Sequence, residues 1–225
     1  MKAPQHYLNR LRKQQLRLAS RVVIADHFER PVRVVAGFDL AYLNDHAIAA
    51  AVSLRLPTLE LVERKTLLEE VSFPYIPTFL AFREAPPIIN LLRRLEVEPD
   101  IIMLDAHGIA HPVHLGCASH VGVLVEKPTI GVAKRLLCGE YGQEPERVGE
   151  WVPLTYEGRV VGAVFKSREG CRPIFISPGH MITLKSSIQI VRDCIRGHRL
   201  PEPLRLAHQL AVMERRRLLG GRAYL

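Results

Sequence analysis

Cysteine is scarce in this sequence, and long hydrophobic runs are absent from it. The four cysteines are Cys117, Cys138, Cys171 and Cys194, and no two of them form a CxxC pair. This spacing argues against a structural zinc site and favours buried, reduced thiols with a structural role and no disulfide partner. No apolar run approaches the roughly 18–20 residues of a membrane span. The basic N-terminal segment also lacks the apolar core of a secretory signal, so we expect a cytoplasmic protein with no membrane partner.

Acidic residues are outnumbered, and this imbalance is the clearest signal in the composition. The 225 residues include 31 Lys and Arg against 23 Asp and Glu, which gives a net charge of +8. A basic surplus of this kind favours a polyanionic partner such as a nucleic acid. The basic residues concentrate near both ends of the chain: Arg10, Arg12, Lys13, Arg17 and Arg21, then Arg215, Arg216, Arg217 and Arg222.

Hydrophobic periodicity predicts an α/β fold with a mixed sheet. The sequence has no internal repeat, linker or low-complexity segment, and its length suits one domain or two small ones. We predict helices over residues 7–26, 86–95, 115–125, 183–196 and 203–219. We predict strands over 32–42, 47–54, 61–71, 101–105, 129–132, 160–165 and 173–176. The first three strands should be antiparallel and the next ones parallel, with helices flanking the sheet.

The segment Pro74-Tyr75-Ile76-Pro77 places a tyrosine between two prolines. Each proline fixes its own φ angle and restricts the residue before it, so Tyr75 has few conformations available. Such a residue is poised to project from the surface, as an enzyme that opens a stacked substrate would require. A proline-rich turn that carries a surface tyrosine is the alternative, and the segment alone leaves both interpretations open.

Three acidic residues stand at positions that suggest a metal site. Asp39 interrupts an apolar strand, and Asp105 ends another one. A buried carboxylate without a partner is costly, so it needs a metal, a cation or a hydrogen-bond network. If the two strands are neighbours, the two carboxylates converge, and with Glu84 they offer hard oxygen ligands suited to Mg²⁺ or Mn²⁺. Taken singly, each acid could instead cap a turn or favour a helix N-terminus.

A set of short motifs resembles the endonuclease V family of deoxyinosine-directed repair nucleases. The matching segments are Gly37-Phe38-Asp39, Pro74-Tyr75-Ile76-Pro77, Phe82-Arg83-Glu84, residues 105–112 (DAHGIAHP) and Gly131-Val132-Ala133-Lys134. Their order and spacing match as well, and the likeness continues through residues 199–203 to Ala207-His208. The resemblance implies a single domain over residues 1–225 with a ribonuclease H-like fold.

The resemblance also implies roles for individual residues. Asp39, Glu84 and Asp105 correspond to the acids that bind the metal and take part in catalysis, together with Lys134 and His208. Pro74, Tyr75, Ile76 and Pro77 correspond to a wedge that enters the duplex at the lesion. Leu80, Gly108, Ile109 and Leu137 correspond to the pocket for the extruded base. His107 and His111 would contact phosphate or fix the loop.

The function that the resemblance implies is that of a metal-dependent DNA repair endonuclease, a hydrolase of the deoxyribonuclease V type. It would recognise deoxyinosine, or other deaminated bases, and cut the second phosphodiester bond 3′ to the lesion, leaving 3′-OH and 5′-phosphate ends. Mg²⁺ would be the cofactor, and Mn²⁺ could replace it. One alternative is an inosine-specific endoribonuclease of the same fold. A non-catalytic nucleic-acid-binding module is the other, and the complete set of acids argues against it.

Overall fold

The structure is a computed structural model that describes residues 5–220 as one eight-stranded sheet with five helices. The helices are α1 (Gln5–Ala19), α2 (Ala81–Leu92), α3 (Cys117–Val125), α4 (Leu184–Asp193) and α5 (Glu202–Gly220). The strands are β1 (Val34–Leu43), β2 (His46–Arg55), β3 (Glu60–Glu70), β4 (Ile101–Leu104), β5 (Thr129–Ala133), β6 (Trp151–Tyr156), β7 (Arg159–Phe165) and β8 (Ile174–His180).

The strand order confirms the predicted mixed sheet. Across the sheet the order is β3-β2-β1-β4-β5-β8-β7-β6. Strands β1, β2 and β3 pair antiparallel, whereas β1, β4 and β5 pair parallel, as a ribonuclease H-like fold requires. Beyond β5 the sheet returns to antiparallel pairing through β8, β7 and β6. Strand β6 was not predicted, because it is short, carries Pro153 and leaves Trp151 exposed.

The core lies on both faces of the sheet, which explains the fully apolar strand β4. Ile101 and Met103 pack with α4 and α5 on one face, while Ile102 and Leu104 pack with α2 and α3 on the other. Side chains alternate between the faces of a strand, so a strand covered on both sides must be apolar at every position. This packing fixes the end of β4, where Asp105 follows.

Two predicted helix boundaries were wrong. The first helix ends at Ala19 and not near residue 26, because Asp26 instead accepts hydrogen bonds at the start of α4, from Thr183 N at 2.8 Å and Ser186 Oγ at 2.5 Å. Helix α2 begins at Ala81, five residues before the predicted start, and contains Pro86 and Pro87. Glu84 therefore lies in the first turn of the helix and not before it.

Two further expectations concern the state of the cysteines and the absence of membrane-spanning helices. All four cysteines are free, but only Cys117 and Cys194 are buried. None of the helices between residues 5 and 220 combines the length and apolar character that crossing a membrane demands. The cytoplasmic location and the single domain stay predictions, and Arg222 lies outside the described residues.

Candidate active site

Strand pairing brings Asp39 and Asp105 side by side. Strands β1 and β4 are parallel neighbours, and Phe38 lies opposite Leu104. Each aspartate is the next residue along its strand, and the amide of Asp105 donates a hydrogen bond to the carbonyl of Phe38 at 3.3 Å. The condition that the sequence left open, that the two strands be neighbours, is therefore met.

The third acid, Glu84, joins them from the first turn of α2. Burial, together with the charges of Asp39 and Asp105, raises the pKa of Glu84 to about 7. The Tyr42 hydroxyl donates a hydrogen bond to Glu84 Oε1 at 3.4 Å. Burial also raises the pKa of Asp105, against the opposing effect of Lys134. The negative charge of Asp39 therefore raises the pKa of both Glu84 and Asp105, which shows that the acids lie close enough to interact.

Two basic side chains contact the aspartates. His208 Nδ1 lies 2.6 Å from Asp39 Oδ2, and Lys134 Nζ donates a hydrogen bond to Asp105 Oδ2. Lys134 directly follows β5, the parallel neighbour of β4, and Arg199 Nη2 holds its backbone through a 2.9 Å hydrogen bond to the Lys134 carbonyl. The five predicted catalytic residues are thus brought to one edge of the sheet.

Gly37 allows His208 to reach Asp39. A Cβ atom on Gly37 would lie 2.3 Å from the carbonyl carbon of Pro203, at the start of α5. Because no other residue type leaves this space, the glycine lets α5 pack directly against β1. Helix α5 then carries His208 to the aspartate two residues further along the strand.

The donor set fits a hard divalent cation. Three carboxylates supply oxygen ligands of the kind that Mg²⁺ and Mn²⁺ prefer, and the raised pKa of Glu84 identifies a need for positive charge. Within residues 5–220, no three His, Cys, Asp or Glu side chains already form a metal-binding group. Asp39 and Asp105 are instead turned towards His208 and Lys134.

A cavity of about 340 Å³ is lined by one of the three acids, Asp105. Tyr75, Pro77 and Leu80 line one side of it, and Lys134 and Leu137 line another. The Tyr75 side chain is 69% exposed, so it projects from the surface as its two flanking prolines predict. An exposed aromatic ring, an apolar cavity and a carboxylate cluster therefore adjoin one another. Other side chains of this wall are Asp105, His107, His111 and Cys117.

Gly108 and Ile109 are not among the residues that line this cavity. A Cβ atom on Gly108 would lie 2.0 Å from the carbonyl oxygen of Pro178, and the Gly108 amide donates to Ser177 Oγ at 2.7 Å. Ile109 packs against the cluster that contains Ala133, and its amide donates to the Pro178 carbonyl at 2.8 Å. The structure thus places both residues where they anchor the loop after β4 to β8.

The two histidines of this loop make backbone contacts. His107 Nε2 donates to the carbonyl of Arg135 at 3.0 Å, and His111 Nε2 donates to that of Thr78 at 3.1 Å. Burial lowers the pKa of each to about 4, so both are neutral near pH 7. These contacts fix the loop, which was one of the two roles expected of them.

No sequence pattern indicates the surroundings of Glu84. Tyr42 ends a predicted strand, yet it contacts Glu84, and the Arg83 guanidinium lies 4.3 Å from the centre of the Tyr42 ring. Cys117 was expected to be structural, but it lines the cavity, and the charge of Glu84 raises its pKa beyond the effect of burial. Neither spacing nor composition marks these contacts, because they join distant parts of the chain.

Comparison with known proteins identifies relatives along nearly the whole chain. The family model of Endonuclease V matches residues 16–209. Endonuclease V from Thermofilum pendens is 47% identical over 206 residues, which cover 91% of this chain and 88% of that protein.

Solved structures agree with this match. The catalytic domain of human Endonuclease V superposes with a TM-score of 0.91 at 30% identity, covering 97% of this chain and 99% of that one. A variant of Ciona intestinalis Endonuclease V gives a TM-score of 0.86 at 26% identity, covering 96% and 100%. That structure contains a 23mer DNA with an inosine followed by a ribo-adenosine.

Proposed function

We propose that this chain, which belongs to the endonuclease V family of nucleases, is a metal-dependent repair enzyme that cuts DNA at deoxyinosine. The cut would fall at the second phosphodiester bond 3′ to the lesion and leave 3′-OH and 5′-phosphate ends. Other deaminated bases would be further substrates. The observation that carries the proposal is the carboxylate cluster of Asp39, Glu84 and Asp105, of which Asp105 lines a cavity that the exposed Tyr75 also lines.

Asp39, Glu84 and Asp105 would hold Mg²⁺, or Mn²⁺ in its place. When bound, such an ion makes a water nucleophilic and stabilises the leaving alkoxide of a phosphodiester. Binding requires the two aspartates to exchange their contacts with His208 and Lys134 for the ion. Glu84 would supply the third carboxylate, and the positive charge of the ion would stabilise its ionised form.

Lys134 and His208 would then act on the phosphate. Lys134 is 37% exposed at the edge of the cavity, so its ammonium group can stabilise the negative charge that builds up on the phosphate during cleavage. His208 contacts Asp39 through Nδ1, and once Asp39 turns to the ion, the imidazole could exchange a proton with substrate or water. Its side chain is 52% exposed and therefore accessible to a bound strand.

Recognition would depend on extrusion of the damaged base into the cavity. A mispaired base costs less to unstack than a paired one, which supplies part of the selectivity. Tyr75 would fill the gap that the base leaves in the stack, as inserted side chains do in other complexes. Hypoxanthine has a carbonyl and an N1–H donor where adenine has an amino group and an acceptor. Backbone groups of the cavity wall can distinguish the two patterns.

Cleavage of purified substrates tests this proposal. The protein is incubated with Mg²⁺ and a duplex that contains one deoxyinosine, and the ends of the products are mapped against a matched undamaged duplex. We expect one nick at the second bond 3′ to the inosine and none in the undamaged duplex. Equal cleavage of both duplexes, or cleavage that persists in excess EDTA, would refute the proposal.

RNA cleavage is the second candidate function. The observation that favours it concerns a relative, since the Ciona intestinalis protein was captured on DNA with a ribonucleotide directly after the inosine. The same assay with single-stranded RNA that carries one inosine separates the two candidates. Faster cleavage of the RNA than of the DNA would make the endoribonuclease the principal activity.

A further inference from the structure

We propose that helix α1 positions the wedge, because Gln15 and Arg12 hold Thr78, the residue directly after the wedge segment (Pro74 to Pro77). The inference rests on the proposed function, since it assigns a positioning role in lesion recognition. Neither side chain lies in the carboxylate cluster or among the residues that line the cavity. They would act on the substrate only through Thr78, which directly follows the wedge and itself lines the cavity.

Thr78 has a backbone conformation that needs support from its surroundings. Its φ angle is +66°, in the left-handed region that residues other than glycine rarely adopt. Threonine is β-branched, which makes this conformation more strained still. Such strain persists where neighbouring groups determine the conformation, and it concentrates at ligand clamps.

Three side chains determine the conformation of Thr78. Gln15 Nε2 donates a hydrogen bond to its carbonyl oxygen at 2.7 Å, and His111 Nε2 donates to the same oxygen at 3.1 Å. Arg12 Nη2 donates to Thr78 Oγ1 at 3.2 Å, while its guanidinium lies 4.7 Å from the centre of the Phe79 ring. Two of the three come from α1, more than 60 residues away in sequence.

The other end of the wedge is held as well. Arg83 Nη1 donates a hydrogen bond to the carbonyl of Phe73, and the Phe73 ring packs 5.9 Å from that of Phe82. Both ends are thus fixed while Tyr75 between them is exposed. A segment held in this way has already lost its conformational entropy before it meets the duplex, which leaves more of the stacking energy for binding.

The burial of Gln15 is difficult to explain by stability alone. Its side chain is fully buried, yet within residues 5–220 its Oε1 accepts no hydrogen bond, and Nη1 of Arg12 makes none either. A buried polar atom without a partner destabilises a fold, so a leucine at position 15 would remove this cost. In that variant His111 still satisfies the Thr78 carbonyl. We therefore expect Gln15→Leu to keep its melting temperature but to lose support for the wedge.

Gln15→Leu is the test variant, and Gln14→Leu is its matched control, because Gln14 is the exposed neighbour on the same helix. Binding is measured to an inosine duplex and to the same duplex without the lesion. A 2-aminopurine next to the inosine reports unstacking through its fluorescence. We expect Gln15→Leu to bind the inosine duplex about tenfold more weakly, because ordering a loosened wedge would then consume about 1.4 kcal/mol of the binding free energy, with a smaller fluorescence rise. Binding to the undamaged duplex, and all properties of Gln14→Leu, should match wild type.

Tyr75→Ala separates failure of this inference from failure of the proposed function. If Tyr75→Ala loses affinity for the lesion and Gln15→Leu does not, the positioning role of α1 is wrong and the wedge remains. If Tyr75→Ala also binds like wild type, the wedge itself is refuted. Should Gln15→Leu melt at a lower temperature, Gln15→Met replaces it, because methionine has a similar shape but cannot donate a hydrogen bond to the Thr78 carbonyl. Wild-type lesion affinity of a stable Gln15→Met protein would overturn the inference.

Discussion

Replacing Gly37 by alanine should damage the active site without removing any of its side chains. The new Cβ atom would lie 2.3 Å from the Pro203 carbonyl carbon and 2.6 Å from the amide nitrogen of Leu204. Return to an ordinary contact of 3.4 Å requires the start of α5 to move away from β1 by about 1 Å. The 2.6 Å contact between His208 Nδ1 and Asp39 Oδ2 would then exceed hydrogen-bond length.

The expected effect on cleavage is larger than the effect on stability. Overpacking of this kind costs about 1–3 kcal/mol of unfolding free energy. A displacement of about 1 Å in a catalytic group can lower the rate about 100-fold. The measurements are single-turnover cleavage of an inosine duplex and urea unfolding. Gly142→Ala is the control, because among the described residues nothing lies within 4 Å of its added Cβ atom. Wild-type cleavage by Gly37→Ala would refute the role assigned to this close approach.

Three further predictions concern the carboxylates, the charge and a buried histidine. Asp39→Ala and Asp105→Ala should each abolish nicking in Mg²⁺ but retain part of the affinity for the lesion duplex in gel-shift assays, because phosphate contacts dominate affinity. Binding to any duplex should weaken steeply as salt rises, since the net charge is +8. Burial lowers the pKa of His120 to about 4, below its usual 6.5, so the unfolded chain takes up this proton first. Unfolding free energy of the metal-free protein should therefore fall as pH drops from about 6.5 towards 4, by at most about 3 kcal/mol from this group.

Each of these predictions has an outcome that contradicts it. Near wild-type turnover by either aspartate variant would remove that residue from the site. Affinity for duplex DNA that does not change with salt would mean that the basic surface has another partner. For the histidine, His120→Leu removes the proton-binding group, so the unfolding free energy of this variant should fall less than that of wild type as the pH drops. The same pH dependence of unfolding free energy in the two proteins would exclude His120 as the cause.

The sequence predicts the three acidic residues better than it predicts the residues that hold the site in place. Asp39 and Asp105 are conspicuous because each is a charged residue within or at the end of an apolar strand, and although each acid alone could cap a turn or favour a helix N-terminus, the two together with Glu84 point to a metal site. The helix that carries Glu84 was placed too late, because Pro86-Pro87 suggested a helix start whereas the structure places both prolines inside α2. The roles of Gly37, Tyr42 and Gln15 depend on contacts between distant segments, and local sequence periodicity does not indicate such contacts.

The central claim is that Asp39, Glu84 and Asp105 together hold the catalytic metal. The most direct test is a crystal of the protein grown with Mn²⁺, measured at a wavelength where manganese scatters anomalously. The account predicts an anomalous peak among the three carboxylates, with Asp39 and Asp105 turned away from His208 and Lys134, and no such peak in crystals of Asp105→Ala. A fully occupied manganese elsewhere, or no peak among the carboxylates at saturating Mn²⁺, would contradict it.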